Sequence, residues 1–135
     1  MHNLYLSLGS NLGDRRQYIQ QAIDLIDDLV GAVYRVSNML ETEPWGFETE
    51  HRFLNCCLLV HTMLSPRRCL ETTKEIERQL GRTQKSEGGV YHDRTIDIDM
   101  LMYDDLTLDE PDLVLPHPHM QERDFVMIPL REIMP

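Results

Sequence analysis

The sequence has no long apolar segment, and its N-terminus has no basic region ahead of its first apolar residues. A membrane-spanning helix needs roughly 20 consecutive apolar residues, and no run approaches that length. The first apolar residues soon give way to polar ones, so we interpret them as a first strand rather than a signal peptide. We therefore expect a soluble, cytoplasmic protein that has no membrane partner.

Cysteine is scarce and poorly placed for a metal or redox site. The three cysteines are the adjacent Cys56 and Cys57 and the isolated Cys69, so no CxxC pair exists. This excludes the usual cysteine zinc sites and the thioredoxin-type motif. Buried, reduced thiols are the expected role.

Basic residues are outnumbered, and the common nucleotide-binding loops are absent. Thirteen Lys and Arg face 23 Asp and Glu, which gives a net charge of −10. This argues against a nucleic-acid partner, because nucleic acids select basic surfaces. A small anionic ligand remains compatible, since a few arginines or a metal ion can hold phosphate on an acidic protein. The sequence has no Walker loop and no GxGxxG fingerprint, so any use of ATP must rely on another arrangement.

The pattern of apolar residues predicts a single domain over residues 1–135, with two main helices and several strands. Strands are predicted at 3–8, 32–42, 53–62 and 95–103, helices at 15–29 and 66–80, a hairpin or edge strand at 106–114, and a helical tail at 120–133. Residues 9–14 are predicted to form a turn in which Asp14 caps the first helix, which Gly31 ends. Ser65 is predicted to cap the second helix, with Pro66 in its first turn. Strand, helix, strand, strand, helix, strand is the order of an α+β, ferredoxin-like sandwich with a mostly antiparallel sheet. We expect the two helices to cover one face and leave the other for a site.

Two aspartates interrupt an apolar strand in the segment RTIDIDML. Asp97 and Asp99 are two residues apart, so they point to the same face of an extended chain. One interpretation is a magnesium site, because Mg²⁺ takes one or two carboxylates together with substrate phosphates. The other is a solvated strand face on which arginines pair with the carboxylates.

Cationic side chains on both sides of this segment favour the first interpretation. Arg94 precedes the aspartates directly, Arg82 lies in the loop before them, and His117 and Arg123 follow. Each of these alone fits a surface charge. Together with two carboxylates, they are typical of a polyphosphate clamp.

Asn55 is the one polar residue in the apolar strand FLNCCLLV. Its amide must be satisfied, either by a neighbouring backbone group or by a ligand with paired donors and acceptors. Phe53 lies two residues away on the same face, which suits a flat, hydrogen-bonding ring. Both interpretations remain open from the residues alone.

Six motifs in order carry a resemblance to a known family: LGSNLGD, ETEPWG, FLNCC, LGR, DRTIDIDMLMY and LPHPHMQERDFVMIPL. They span nearly the whole chain. With these motifs the sequence resembles the 6-hydroxymethyl-7,8-dihydropterin pyrophosphokinases of folate biosynthesis. The resemblance implies the ferredoxin-like fold and the transfer of pyrophosphate from ATP to a reduced pterin, with release of AMP and the help of two Mg²⁺ ions.

The resemblance also implies roles for individual residues. The implied metal ligands are Asp97 and Asp99, and these with Arg82 and Arg94 form the catalytic group. The implied pterin-binding residues are Thr42, Trp45, Phe53, Asn55 and Phe125. The implied ATP-binding residues are Glu77, Arg82, Arg94, Met100, His117 and Arg123.

Some positions depart from the family pattern. The family often has Trp in the loop before the aspartates, followed shortly by Pro and Arg, and Tyr91 and Asp93 stand roughly at those places here. Gln84 replaces a second loop arginine, and Pro118 stands where an aromatic residue is frequent. Many relatives also continue beyond the position of Pro135. These departures concern loop closure and nucleotide packing rather than the reaction.

Two other functions fit the same residues less well. A non-catalytic ligand-binding domain of this fold would not need two carboxylates and several cations at one site. A metal-dependent phosphoesterase would release phosphate from ATP without a pterin acceptor. A monomer that binds ATP and a reduced pterin is the expected form of the protein.

Overall fold

The structure is a computed structural model that describes residues 1–42, 52–81 and 95–135. The described chain runs from one strand to a helix, then through three strands, a second helix, three more strands and a C-terminal helical segment. The strands are β1 His2–Ser10, β2 Gly31–Val36, β3 Leu40–Thr42, β4 Phe53–Thr62, β5 Asp97–Tyr103, β6 Leu108–Glu110 and β7 Leu113–Leu115. The helices are α1 Arg15–Leu29, α2 Pro66–Gln79, a short 3₁₀ helix Met120–Glu122, and α3 Asp124–Ile133.

The main sheet has the order β2-β4-β1-β5, and β3 also pairs with β4. All the pairings are antiparallel. The strands β6 and β7 form a separate hairpin, as predicted from the sequence. The structure confirms the α+β fold with a mostly antiparallel sheet.

Sequence signals at the two main helices match the observed ends. The side chain of Asp14 accepts a hydrogen bond from the Gln17 backbone N–H and caps α1. Ser65 caps α2 in the same way through the Arg68 N–H, and Pro66 follows at the first turn. Gly81, with φ of +91°, follows the end of α2 in the left-handed conformation that favours glycine.

One face of the sheet packs against α1 and α2. Alternate residues of β4, β1 and β5 point to this side and are buried. The main members of this core are Leu4, Leu6, Leu8, Ile19, Ile26, Leu58, Val60, Ile76, Ile98 and Met100. Because side chains alternate along a strand, the residues between them lie on the opposite face.

The opposite face is partly covered, so the expectation that it would be left free was wrong. Helix α3 packs there through Val126, Leu130 and Ile133, at helical spacing, against a second apolar cluster. That cluster includes Tyr5 and Leu59 of the sheet. These apolar residues would be exposed without a cover, and the tail supplies it. The end of this face that carries the polar residues is left for a site.

Three local boundaries also differ from the predictions. The segment predicted as one strand at 32–42 forms the two strands β2 and β3. Strand β1 continues through Gly9 and Ser10, which were predicted to lie in a turn. Gly31 was predicted to end α1, but α1 ends at Leu29 and Gly31 begins β2, where a Cβ would lie 2.2 Å from the His61 carbonyl oxygen. Close approach of two backbones therefore explains this glycine.

No helix within the described ranges is both long and apolar enough to cross a membrane. The peptide bond between Leu115 and Pro116 is cis.

Candidate active site

The two aspartates share one face of β5, as the alternation predicted. Ile98 and Met100 point into the core beneath α1 and α2, whereas Asp97 and Asp99 lie on the other face and are partly exposed. Strand β1 supplies the adjoining row, because Gly9 pairs with Asp97 and Ser7 pairs with Asp99. Two carboxylates therefore stand at the edge of the partly open face.

The same face carries the predicted pterin-binding residues of β4. In the sheet register Gly9 pairs with Asn55 on one side and with Asp97 on the other. Asn55, Gly9 and Asp97 thus form one row across three strands, and the Asn55 and Asp97 backbones are about 10 Å apart at the usual strand spacing. A ligand lying across β1 can reach both residues.

The Asn55 amide is buried and already oriented. Its Nδ2 donates a hydrogen bond to Thr42 Oγ1 at 2.8 Å, across the pairing of β4 with β3. Two residues that the resemblance assigned to the pterin are therefore in direct contact. The Asn55 Oδ1 lies toward Gly9, 3.0 Å from the position that a Cβ would take there.

Two aromatic residues lie on this side of the sheet, on different elements. Phe53 begins β4 and leans over Gly9, with Cδ1 3.4 Å from the position of a Cβ at Gly9. Phe125 lies in the first turn of α3 and packs at the margin of the second apolar cluster. The Arg123 guanidinium lies over the Phe125 ring, 5.7 Å from its centroid. Helix α3 thus brings one aromatic and one buried cation to this side.

His117 is held as a neutral hydrogen-bond donor. Its Nδ1 accepts from the His119 backbone N–H at 3.2 Å, so the ring proton resides on Nε2. Burial, together with the charges of Arg123 and His119, lowers the pKa of His117 to about 4, and Asp97 opposes this shift. The charges of Arg123 and Asp97 thus act on this ring in opposite directions.

Glu77 reaches the outer edge of β5 from α2. Its side chain is buried, and its Oε2 accepts a hydrogen bond from the Ile98 backbone N–H at 2.7 Å. Ile98 lies between the two aspartates. Glu77 therefore holds the backbone of the segment that carries them.

Met100 lies on the other face of the strand from the aspartates. Its side chain is buried in the core beneath α1 and α2. Its backbone has the same orientation as that of Ile98, because alternate residues of a strand direct their N–H and C=O groups to the same edge. Any contact of Met100 with a ligand would thus be made by its backbone at the outer edge of β5.

The carboxylate groups of Asp97 and Asp99 are suitable ligands for Mg²⁺. Both are hard oxygen donors on one face, partly exposed to a ligand. Across residues 1–42, 52–81 and 95–135 no group of three or more His, Cys, Asp or Glu forms a metal cage. Mg²⁺ commonly binds through one or two carboxylates and keeps waters and substrate phosphates as its other ligands, so the donor set fits it.

Several predicted residues lie outside the described ranges. These are Trp45, Arg82 and Arg94, together with the departures Gln84, Tyr91 and Asp93.

The cysteines are buried as expected, and burial raises the pKa of Cys56 and Cys57 to about 12. This leaves them as unreactive thiols.

Gly9 lies between Asn55 and Asp97 in the sheet and was not predicted as a site residue. It was placed in a turn because the pattern GSNLGD is rich in turn residues. The available signal was that Gly9 continues the alternation of β1, at a position equivalent to Ser7. The pairing partners of β1 are distant in sequence, so the pattern alone could not identify its neighbours.

The fold and the site define the class of protein. An antiparallel α+β sandwich that combines two carboxylates, an arginine and a neutral histidine with an amide and two phenylalanines is typical of a transferase that acts on a phosphate compound and a flat ring.

Comparison with known proteins names the family. The sequence model of the 7,8-dihydro-6-hydroxymethylpterin-pyrophosphokinase family matches residues 5–135, and the chain belongs to this family. A Porphyromonas gingivalis protein named 2-amino-4-hydroxy-6-hydroxymethyldihydropteridine pyrophosphokinase is 50% identical over 133 residues, covering 98% of this chain and 90% of its own length. The Bacillus subtilis protein of the same name is 42% identical over 135 residues, covering 98% and 79%.

Solved structures support the fold. The HPPK-DHPS triple mutant of Plasmodium falciparum aligns with 99% of this chain, with a TM-score of 0.78 and 16% identity. A second HPPK-DHPS structure, in complex with substrates, aligns with a TM-score of 0.75 and 15% identity, again over 99% of this chain. The chain spans 40% of each of these longer proteins. At this identity the similarity concerns the fold alone.

Proposed function

We propose that this chain transfers the pyrophosphoryl group of ATP to the hydroxymethyl group of 6-hydroxymethyl-7,8-dihydropterin. The substrate hydroxyl oxygen forms a bond to the β-phosphorus, and the bond from this phosphorus to the oxygen that bridges it to the α-phosphorus breaks. AMP leaves with that oxygen, the proton of the substrate hydroxyl group is released to the solvent, and the pterin diphosphate serves folate biosynthesis. Family membership is the observation that carries this proposal, supported by the row of Asn55, Gly9 and Asp97.

The pterin is proposed to lie between Phe53 and Phe125 and to bond Asn55. An aromatic ring on each side excludes water from a flat ligand and fixes its plane. The buried Asn55 amide, held by Thr42, then sets the orientation of the ring within that plane. Trp45 is proposed to complete this pocket.

The triphosphate is proposed to lie at the β5 side of the face. Arg123 and the Nε2–H of His117 are the described donors that suit phosphate oxygens, because one is cationic and the other is a neutral donor beside it. Arg82 and Arg94 are proposed to contribute further charge. Glu77 supports the site from behind through Ile98.

The base of ATP is proposed to contact the outer edge of β5. The Met100 backbone N–H and C=O point toward this edge, and a purine has both donors and acceptors on its rim. Main-chain contacts of this kind suit the described position of Met100, whose side chain lies in the core.

Asp97 and Asp99 are proposed to hold two Mg²⁺ ions. When bound, such ions neutralise the charge of the phosphates and stabilise the charge that develops on transfer. The remaining residues act by binding and orientation, and no protein nucleophile is needed. The protein is proposed to act as a single domain over residues 1–135 and as a monomer. A cytoplasmic location remains a prediction.

The nucleotide product tests this proposal. The protein is mixed with ATP, Mg²⁺ and 6-hydroxymethyl-7,8-dihydropterin, and AMP is separated from ADP and phosphate. AMP that forms only when the pterin is present is the expected result. ADP would indicate ordinary phosphoryl transfer, and phosphate release without the pterin would indicate a phosphoesterase; either would contradict the proposal.

A further inference from the structure

Gly9 occupies a position at which glycine is not needed by its own backbone. It lies within β1, and its φ is not among the positive values of the described glycines. Alanine is tolerated in such an extended segment, and glycine there is destabilising relative to alanine. Glycine inside a strand often marks a place where another group approaches closely. The presence of glycine at this position is therefore explained by side chains that lie over the strand.

Two side chains of β4 lie over Gly9. A Cβ at this position would be 3.0 Å from Asn55 Oδ1 and 3.4 Å from Phe53 Cδ1, with Phe53 Cε1 at 3.8 Å. The first distance forces a shift of the amide or of the new methyl group. Asn55 Nδ2 is bonded to Thr42 Oγ1 at 2.8 Å, so a shift of the amide by a few tenths of an ångström acts directly on that hydrogen bond.

We infer that Gly9 is a specificity-determining residue of the pterin site. Its lack of a side chain lets the Asn55 amide and the Phe53 ring close over β1, and it leaves a flat floor between Asn55 and Asp97. A planar ring held by Asn55 can then extend its substituent toward the aspartates. This inference rests on the proposed function, because it assumes that the flat ligand is the pterin.

The test is the replacement Gly9→Ala, measured by the binding of 6-hydroxymethyl-7,8-dihydropterin in the presence of Mg²⁺ and a non-hydrolysable ATP analogue. Pterin affinity is expected to fall by about tenfold or more, which is the scale of one misplaced methyl group in a fitted pocket. Binding of the ATP analogue with Mg²⁺ alone is expected to stay within about twofold, because the methyl group meets β4 side chains. Unchanged pterin affinity, or an equal loss for both ligands, would overturn the inference.

A double-mutant cycle tests whether the methyl group acts through Asn55. If it does, Gly9→Ala adds little further loss in an Asn55→Ala background, since the displaced amide is already gone. A further tenfold loss in that background would overturn the inference. If Gly9→Ala alone does not fold, the double variant still tests the inference, because truncation of Asn55 removes the side-chain atom closest to the new methyl group.

Gly13→Ala is the matched control for the general strain of replacing a glycine. Gly13 has φ of +67°, and the three atoms nearest to a Cβ there would all belong to the Tyr18 ring. This variant is expected to lower the stability of the fold while pterin affinity stays within about twofold, because the strain is local to its turn. A pterin loss equal to that of Gly9→Ala would overturn the inference. Failure of the wild-type chain to bind the pterin at all would overturn the proposed function and this inference together.

Discussion

Replacing Glu77 by methionine is expected to destabilise the protein, because it removes a buried hydrogen-bond acceptor and keeps the side-chain volume. Glu77 is 6% exposed, and its carboxylate accepts from the Ile98 N–H at 2.7 Å. Methionine fills a similar space without an acceptor for that N–H. The substitution therefore removes the hydrogen bond to Ile98 while it keeps the side-chain volume that packs in the core.

The magnitude follows from the type of bond. A hydrogen bond to a charged group contributes about 1.5–3 kcal/mol, and a buried donor left without an acceptor costs a similar amount. For a chain of this length, each kcal/mol corresponds to roughly 3–4 °C in the melting temperature. Glu77→Met is thus expected to lower the melting temperature by about 5–10 °C.

Glu77→Gln is the informative companion variant. The glutamine Oε1 still accepts from Ile98, so only the charge is lost, and a cost of about 1 kcal/mol or less is expected. Glu75→Ala on the same helix is the control, because Glu75 is exposed and pairs with Arg78. Loss of such a surface pair typically costs less than about 1 kcal/mol.

Urea unfolding followed by circular dichroism measures all three variants under one condition. The expected order of destabilisation is Glu77→Met above Glu77→Gln, with Glu75→Ala close to the wild type. A Glu77→Met variant within about 0.5 kcal/mol of the wild type would refute the reasoning, since that value is typical of an unimportant surface change. Equal losses for Met and Gln would show that charge, rather than the bond to Ile98, matters.

Three further predictions concern the site. Asp97→Ala and Asp99→Ala are each expected to fold but to lose turnover by about a thousandfold or more, since each removes a proposed metal ligand. Near-normal turnover of either variant would contradict this. Asp109→Ala, on the exposed hairpin, is the control. Asn55→Ala is expected to weaken pterin binding far more than ATP binding in titration calorimetry, and equal losses would make Asn55 structural. The pKa of His117 is about 4 in the folded protein and 6.5 for an ordinary histidine. Between pH 4 and pH 6.5 the unfolded chain therefore binds more protons than the folded protein, so the free energy of unfolding rises with pH over this range. His117→Asn should flatten this rise in urea unfolding, and an unchanged pH dependence would argue against the assignment.

The parts of the structure that depend on local pattern were predictable from the sequence. The alternation of Ile96, Asp97, Ile98 and Asp99 correctly separated a core face from a polar face of β5. Capping residues and helical periodicity located α1 and α2 for the same reason, since these signals act over a few neighbouring residues.

Features that depend on distant pairing were not predictable. The place of Gly9 between Asn55 and Asp97 follows from the register of three strands, which a single sequence does not specify. The packing of α3 against the sheet was not predicted. Its apolar residues show helical spacing, but their packing partners, such as Tyr5 and Leu59, are distant in the sequence. The bond from Glu77 to Ile98 likewise joins residues 21 positions apart.

A crystal structure with the pterin, Mg²⁺ and a non-hydrolysable ATP analogue tests the central claim most directly. We expect the pterin to lie between Phe53 and Phe125, bonded to Asn55 and in contact with Gly9. The metal is expected to bind Asp97 and Asp99, with the pterin hydroxymethyl group directed toward them. A pterin bound away from this face, or metal bound without these aspartates, would contradict the account.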